Sequence, residues 1–497
     1  MKIYQIVGTL NFGDAIGNDV IAIKHVIEDM GIKTAIISTA VSDKIKEKDV
    51  YTLEKAPKFH DDDIIIYHMG SGNPLNRMTA DLNCRKIMIY HNITPYEFFN
   101  IDQPAASENC RQGLIDMRTY MKGKFTSYLA DSEFNKSNMV DMGYKASEIE
   151  VIPVIVPFDD YKQAPDEKMV KRLSDGVTNI IFVGRLAPNK KQEDIIRAFA
   201  YYKEHVNSNS RLILVGSASQ NGAYYPDLVS YVAKLGVQDV IFPGHISFAE
   251  ILAIYKTAHV FLCMSEHEGF CVPLLEAMTF DVPIIAYDAC AVPETMGGSG
   301  IVVDDKDPVF LSKVIDRLVK DENLRNSIIS AQRERLKFFE YEKIKGQLQD
   351  YIRSFMDKYP PLSPDDNKKS YRNLYDIVDD NMKGAGKSMD FTPEALLACA
   401  ERSSETIDIT ELLNKDMSVT SMIETVYISC FNSLPDKEGY VYWTGEAEKY
   451  GREEFIKRLV SSAVDSQDRK DKGTRILFNP FAHAELEAEA EGGVQPV

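Results

Sequence analysis

The sequence predicts an α/β protein: two facing Rossmann-like, doubly wound domains followed by an all-α C-terminal module. Three observations predict it. Short apolar runs alternate with amphipathic stretches through about residue 320, as parallel strands covered by helices require. The alternation restarts near Asn179, beyond a hinge-like stretch at 157–176. After Arg325 the apolar period becomes purely helical.

Residues 2–8 (KIYQIVG) read as a first strand broken at Gly8, and 15–29 as its amphipathic helix. Further strands are expected at 34–38, 63–68, 86–91, 128–132 and 150–155. The second series has strands at 180–184, 211–216, 240–243, 258–263, 283–287 and 300–303. Its helices are expected at 193–204, 226–235, 248–257 and 307–320, with another opening at Pro273. Residues 333–359 read as one long charged helix stopped by Pro360-Pro361. Residues 361–390 are a polar, Pro- and Gly-containing linker, and 392–402 and 409–413 short helices. A three-helix module follows at 419–432, 437–449 and 453–464, with Trp443 in its core, and then a disordered tail carrying Glu485, Glu487, Glu489 and Glu491. The expected units are 1–165 (acceptor side), 166–332 (donor side), 333–359 (bracing helix), 360–415 (linker), 416–480 (helical module) and 481–497 (tail).

Composition excludes several classes. With 57 basic and 75 acidic residues, the net charge of −18 argues against nucleic acid as a partner. The 7 cysteines are scattered without a C-x-x-C pair, which favours reduced thiols over disulfides or zinc. Met1-Lys2 runs straight into a strand, so no signal peptide is expected. No apolar run approaches ~18 residues, so no spanning helix is expected either. The expected location is the cytoplasm, with peripheral contact at the inner membrane face left open.

Chemistry concentrates where strands end. The stretch 264–278 (MSEHEGFCVPLLEAM) passes from a strand through a Gly-containing loop into a helix opened by Pro273. A helix N-terminus of this kind attracts anions, because its free N–H groups and dipole present partial positive charge. Glu268 and Glu276 bracket it, Glu276 expected in the first helical turn. The bland alternative is a solvated loop glutamate and one that complements the dipole. Gly184-Arg185 with Lys190-Lys191 follows the second series' first strand and would neutralise a diphosphate without metal, the bland alternative being a surface loop with ordinary basic residues. The chain lacks G-x-G-x-x-G and G-x-x-x-x-G-K-[ST], which disfavours a dehydrogenase or P-loop enzyme. Gly13 before a helix still admits a close-lying ligand. His68, His91 and His245 stand at or just past strand ends. Their spacings offer no metal motif, and His91, followed by Asn92 and a Pro-containing loop, is the one singled out for a functional role, the others reading as hydrogen-bonded structural residues.

Gly184-Arg185 with Lys190, then Gly216, Gly244, Glu268-Gly269-Phe270 through Glu276-Ala277-Met278, and Pro293-Glu294 occur in one order. That order resembles the retaining glycosyltransferases of family 4, which have the two-Rossmann GT-B fold. The resemblance covers about residues 1–357 and is stronger in the second half. It implies transfer of a hexose-type sugar from a nucleotide-sugar donor to a glycan, lipid-linked or protein acceptor, with no cofactor and no divalent metal for the chemistry. It implies that Arg185 and Lys190 hold the diphosphate and stabilise the leaving nucleotide, with Gly184 and Gly13 letting it approach the backbone. Glu276 would hold the ribose hydroxyls. Glu268, with the backbone of Gly269, Phe270, Cys271 and Val272, would grip the sugar, and His91 would contact it near the reaction centre. Two residues depart from the pattern. Cys271 stands where the family commonly has Gly, and Phe280-Asp281 where it has a small residue and Gly; the latter pair is expected to affect packing only. Residues 423–465 resemble a small helical module appended to bacterial surface and glycosylation proteins, which leaves a protein partner or self-association through 416–480 open. The rival readings are a nucleotide-sugar epimerase of the same fold and a non-catalytic sugar-binding scaffold.

Overall fold

The computed structural model describes residues 1–11, 13–60, 62–99, 103–218, 222–244, 246–362, 406–408, 418–431, 435, 437–465 and 475–477. The short helices expected at 392–402 and 409–413, the linker beyond 362, the acidic tail and His245 lie outside the described residues.

The first domain is a parallel sheet of β1 (Lys2–Leu10), β2 (Lys33–Val41), β3 (Val50–Thr52), β4 (Ile64–Met69), β5 (Arg85–Tyr90), β6 (Ser127–Ala130) and β7 (Ile149–Val151). Its order is β3-β2-β1-β4-β5-β6-β7. Runs such as IIIYHM and RKIMIY are buried along their whole length because helices cover both faces, so they lack polar alternation. The second sheet comprises β8 (Thr178–Val183), β9 (Ser210–Val215), β10 (Val240–Gly244), β11 (Val260–Cys263), β12 (Ile284–Tyr287) and β13 (Ile301–Val303), in the order β10-β9-β8-β11-β12-β13. Strand order reverses beside β1 and β4 in one sheet and beside β8 and β11 in the other. Crevices for ligands open at such reversals, outside the C-terminal strand ends. The loops after β1, β8 and β11 carry Gly13, Arg185 and Glu268.

The helix Glu167–Leu173, inside the expected hinge, already packs on the second domain through Met169 and Leu173. The expected single helix over 333–359 is instead broken. One helix ends at Leu336, Lys337–Phe339 form a 3-10 turn, and a second helix runs Tyr341–Lys358. The break follows from Phe339, which is buried edge-on against Phe270 with ring centres 5.6 Å apart. A straight helix would carry that ring elsewhere. The second helix crosses to the first domain, where Ile344, Leu348, Ile352 and Phe355 pack with Ile23, Val26 and Ile64. Each such buried side chain contributes roughly 1.5–3 kcal/mol, an amount that ties the domains together.

Helices Val419–Phe431, Lys437–Tyr450 and Arg452–Asp465 form the small module, with Met422, Val426, Trp443, Phe455 and Leu459 in its core. It docks on the first domain. Glu424 pairs with the buried Arg118 and accepts from the Tyr440 hydroxyl at 2.7 Å, and the Ser418 N–H donates to Asp141 at 3.1 Å. A two-stranded parallel ladder, Thr406–Asp408 with Arg475–Leu477, was not expected from the sequence.

Candidate active site

Two glycines close the second domain's strand ends. A Cβ on Gly216 would lie 1.9 Å from the Gly184 carbonyl oxygen, so the loops after β8 and β9 touch backbone to backbone. Beside them Arg185 is exposed and has no carboxylate partner among the described residues, although acidic groups outnumber basic ones. Its guanidinium stands 6.0 Å from the Phe99 ring of the first domain. Lys190 turns inward instead. Its Nζ donates to Oε2 of Glu268 at 2.6 Å, with the Glu268 side chain only 8 % exposed. Burial alone would pull the Lys190 ammonium down, but the Glu268 carboxylate holds it above the ordinary lysine value.

Glu268 lies midway along the loop 264–271 that joins β11 to the helix Val272–Thr279. That helix makes Glu276 its fifth residue, in the second turn rather than the first. Complementing the dipole therefore does not explain Glu276. Its carboxylate instead accepts from Tyr161 at 2.7 Å and from Tyr255 at 2.6 Å. Burial pushes the carboxyl up, against the two phenol donors. Phe280 packs on this clasp: its ring stacks on Tyr255 at 5.4 Å and 8°, and meets Tyr161 edge-on at 6.3 Å. Cys271 has φ +75°, in the left-handed region, which gives a physical reason for glycine at this position. The Cβ costs of order 1 kcal/mol there.

The first domain supplies the opposing wall. The loop at Gly269 fits so closely that a Cβ would fall 2.7 Å from Asn92 Cβ and 2.9 Å from the His91 carbonyl oxygen. Ser132 Oγ donates to the Gly269 carbonyl at 2.7 Å. In return, Glu294 accepts the N–H groups of Glu133 and Phe134 at the start of the helix Glu133–Asp141. His267 reaches across between Phe98 and Phe134, and burial pulls it down to about 4.

His91 is held from both sides. Nδ1 lies 2.8 Å from Asp131, and Nε2 lies 2.8 Å from Nδ1 of His68. Its side chain is 2 % exposed, so the ring offers no free nitrogen to a ligand in this arrangement. Gly13 has φ +79° with open space around it, and Asp14 caps the next helix by accepting from the Gly17 N–H at 2.5 Å. The structure thus brings together Lys190, Glu268, Gly269, Cys271 and the His91 loop, with Arg185 at the rim, while Glu276 lies in a separate tyrosine clasp.

Sequence reasoning missed Tyr161, Tyr255, Asp131 and Ser132, because each acts from an element distant in the chain. The strand-end rule could have found Asp131, which follows β6 as His91 follows β5. The histidine spacings offer no metal motif, yet folding gathers Asp19, His68 and His91, and separately Cys263, Glu268 and Cys271, with ligand atoms within 4.8 Å; in the first set the ring nitrogens are already taken up by Gln5, by each other and by Asp131. In the second set the Lys190 ammonium already occupies Glu268 and opposes a cation. A cavity of about 270 Å³ opens behind the loop, beside Asp131, Phe270, Glu294, Arg335 and Lys343; Arg185, Lys190 and Glu268 do not line it.

Residues 165–335 match the family model described as glycosyl transferases group 1. Similar proteins include the O-antigen chain mannosyltransferase B of Escherichia coli, 23% identical over 225 residues, covering 44% of this chain and 58% of that protein. The D-inositol 3-phosphate glycosyltransferase of Acidothermus cellulolyticus is 30% identical over 202 residues, 38% of this chain and 45% of its own. The chain spans about half the length of the curated relatives it matches. Among solved structures, Anabaena Alr3699/HepE in complex with UDP and glucose superposes with a TM-score of 0.56 at 17% identity, covering 71% of this chain and 100% of that one. Sucrose-phosphate synthase from Thermosynechococcus elongatus superposes at 0.58 and 17%, covering 72% and 100%. The fold is GT-B, two parallel-sheet domains facing each other, with a helical C-terminal region added.

Proposed function

We propose that the protein is a nucleotide-sugar-dependent glycosyltransferase that retains anomeric configuration and needs no divalent metal for the chemistry. The acceptor class is a glycan, a lipid-linked sugar or a protein. The observation that carries the reading is Arg185: an exposed guanidinium without a carboxylate partner among the described residues, at the strand-order reversal where ligands bind. The matching family model over 165–335 and the UDP-bound structural neighbour support a nucleotide sugar as donor.

In this reading Arg185 meets the diphosphate and stabilises the charge that grows on it as the sugar departs. Lys190, five residues further along the chain, shares that task when it leaves Glu268. Freed, Glu268 faces the sugar together with the backbone of Gly269 through Val272. Glu276 keeps the ribose hydroxyls by using its remaining lone pairs, two being taken by Tyr161 and Tyr255.

The test is calorimetry with nucleoside diphosphates, paired with a thermal-shift panel of nucleotide sugars. A donor that raises the melting temperature and releases its nucleotide only with acceptor present is the expected result. Interconversion of the sugar without acceptor would replace transfer by epimerisation. Binding without nucleotide release from any donor would leave a sugar-binding scaffold.

A further inference from the structure

Strand register places Gln5, His68 and His91 on one face of the first sheet. Gln5 pairs with Ile66, Val7 with His68, and His68 with Ile89, so the two-residue period carries the line on to His91. The side chains form a continuous hydrogen-bonded row. Gln5 Nε2 lies 3.0 Å from the Val20 carbonyl, Gln5 Oε1 2.9 Å from His68 Nε2, His68 Nδ1 2.8 Å from His91 Nε2, and His91 Nδ1 2.8 Å from Asp131.

The direction of every link follows from its ends. The Val20 carbonyl only accepts, so the Gln5 amide nitrogen must face it and the Gln5 oxygen must face His68. His68 Nε2 therefore carries a proton. At the other end the Asp131 carboxylate accepts, so His91 Nδ1 carries a proton too. Between the rings, two bare nitrogens at 2.8 Å would oppose their lone pairs. One proton must lie there, and the two rings together then carry one positive charge. The carboxylate partner stands beside His91, not His68. We infer that Gln5 and His68 are positioning residues that hold His91 as an imidazolium with both N–H groups committed, making His91 a fixed cation rather than a general base.

The surroundings agree. His68 is pulled well below the ordinary histidine value by burial and by the charge on His91. For His91, burial acts downward but Asp131, with Asp19 and Asp14, holds it above that value. Asp19, on the helix Ala15–Asp29, is raised to about 7 by burial, and its carboxylate accepts the Ile155 N–H at 2.8 Å. Arg185 acts on Asp14 from the second domain. Gly269 of the donor loop lies against the His91 carbonyl there. The row thus links β1, β4 and β5 to the residue just past β6, and sets the wall on which the donor loop rests. The inference builds on the proposed transfer reaction and revises the part of His91 in it.

Nitrogen NMR of the full chain labelled in histidine, with His68 and His91 signals assigned by removing each ring in turn, tests the protonation directly. Two protonated nitrogens on His91 and one bare nitrogen on His68 at pH 7 are expected. A bare nitrogen on His91 at pH 7 overturns the inference, whatever reaction the protein performs. Gln5→Leu removes the amide that orients the row, and should lower the His91 titration by about one pH unit or more. Gln5→Glu keeps an acceptor for His68 and should restore it. In activity measurements the alkaline limb should follow: a raised base contributes at low pH and is lost as pH rises through its folded value. An unmoved His91 titration in a folded Gln5→Leu protein also overturns it. Loss of activity with both NMR signatures intact counts against the transfer reading alone.

Discussion

Tyr255 and Glu276 meet hydroxyl to carboxylate at 2.6 Å, under the stacked ring of Phe280. With Tyr161 on the other oxygen, the carboxylate is oriented before any ligand arrives. Glu276→Ala would strand two phenols, at about 1–3 kcal/mol for each one left unsatisfied. Glu276→Gln is the cleaner probe. Its affinity for the nucleoside diphosphate should fall by roughly 1.5–3 kcal/mol in calorimetry. Wild-type affinity would remove Glu276 from the ribose role.

Arg185 and Lys190 should separate stability from function. Arg185→Ala removes an exposed cation with no ion pair among the described residues, so the unfolding free energy should change by less than about 0.5 kcal/mol while turnover collapses. Lys190→Ala leaves Glu268 unpaired. It should destabilise by about 2 kcal/mol, short of the full cost for a wholly buried pair because Lys190 is 18 % exposed. Wild-type turnover in Arg185→Ala would place the phosphate elsewhere.

Gly216→Ala should disrupt the donor domain. The added methyl would sit 1.9 Å from the Gly184 carbonyl, backbone against backbone, with no flexible side chain to give way. A loss above about 3 kcal/mol in urea unfolding is expected. A near-neutral change would show that these loops are free to part.

His267 should make the domain contact acid-sensitive. Burial lowers it from 6.5 to about 4 in the folded protein, so the unfolded chain takes up the proton first. Stability from this group is present above about pH 6.5 and is lost as pH falls through about 4. His267→Gln should flatten the decline of the urea midpoint across that window. An unchanged slope would assign the acid response to other groups.

The sequence by itself determined the two parallel sheets. Fully apolar strand runs separated by helical periods can be buried only between helices, and the restart near Asn179 divides them. It also marked Arg185, Lys190, Glu268 and Glu276, because strand ends and helix starts are local features. Partners across the chain were beyond its reach. Tyr161, Tyr255 and Phe280 gather around Glu276 only when the hinge and two helices pack, and His68 meets His91 only through strand register. The break at 337–339 is of the same kind: local period favoured one helix, and the burial of Phe339 against Phe270 outweighed it. Tertiary structure decided these contacts because hydrogen bonds and ring packing depend on distance in space. Their effect is largest in the His91 row, where a single backbone carbonyl, that of Val20, orients protons as far as Asp131.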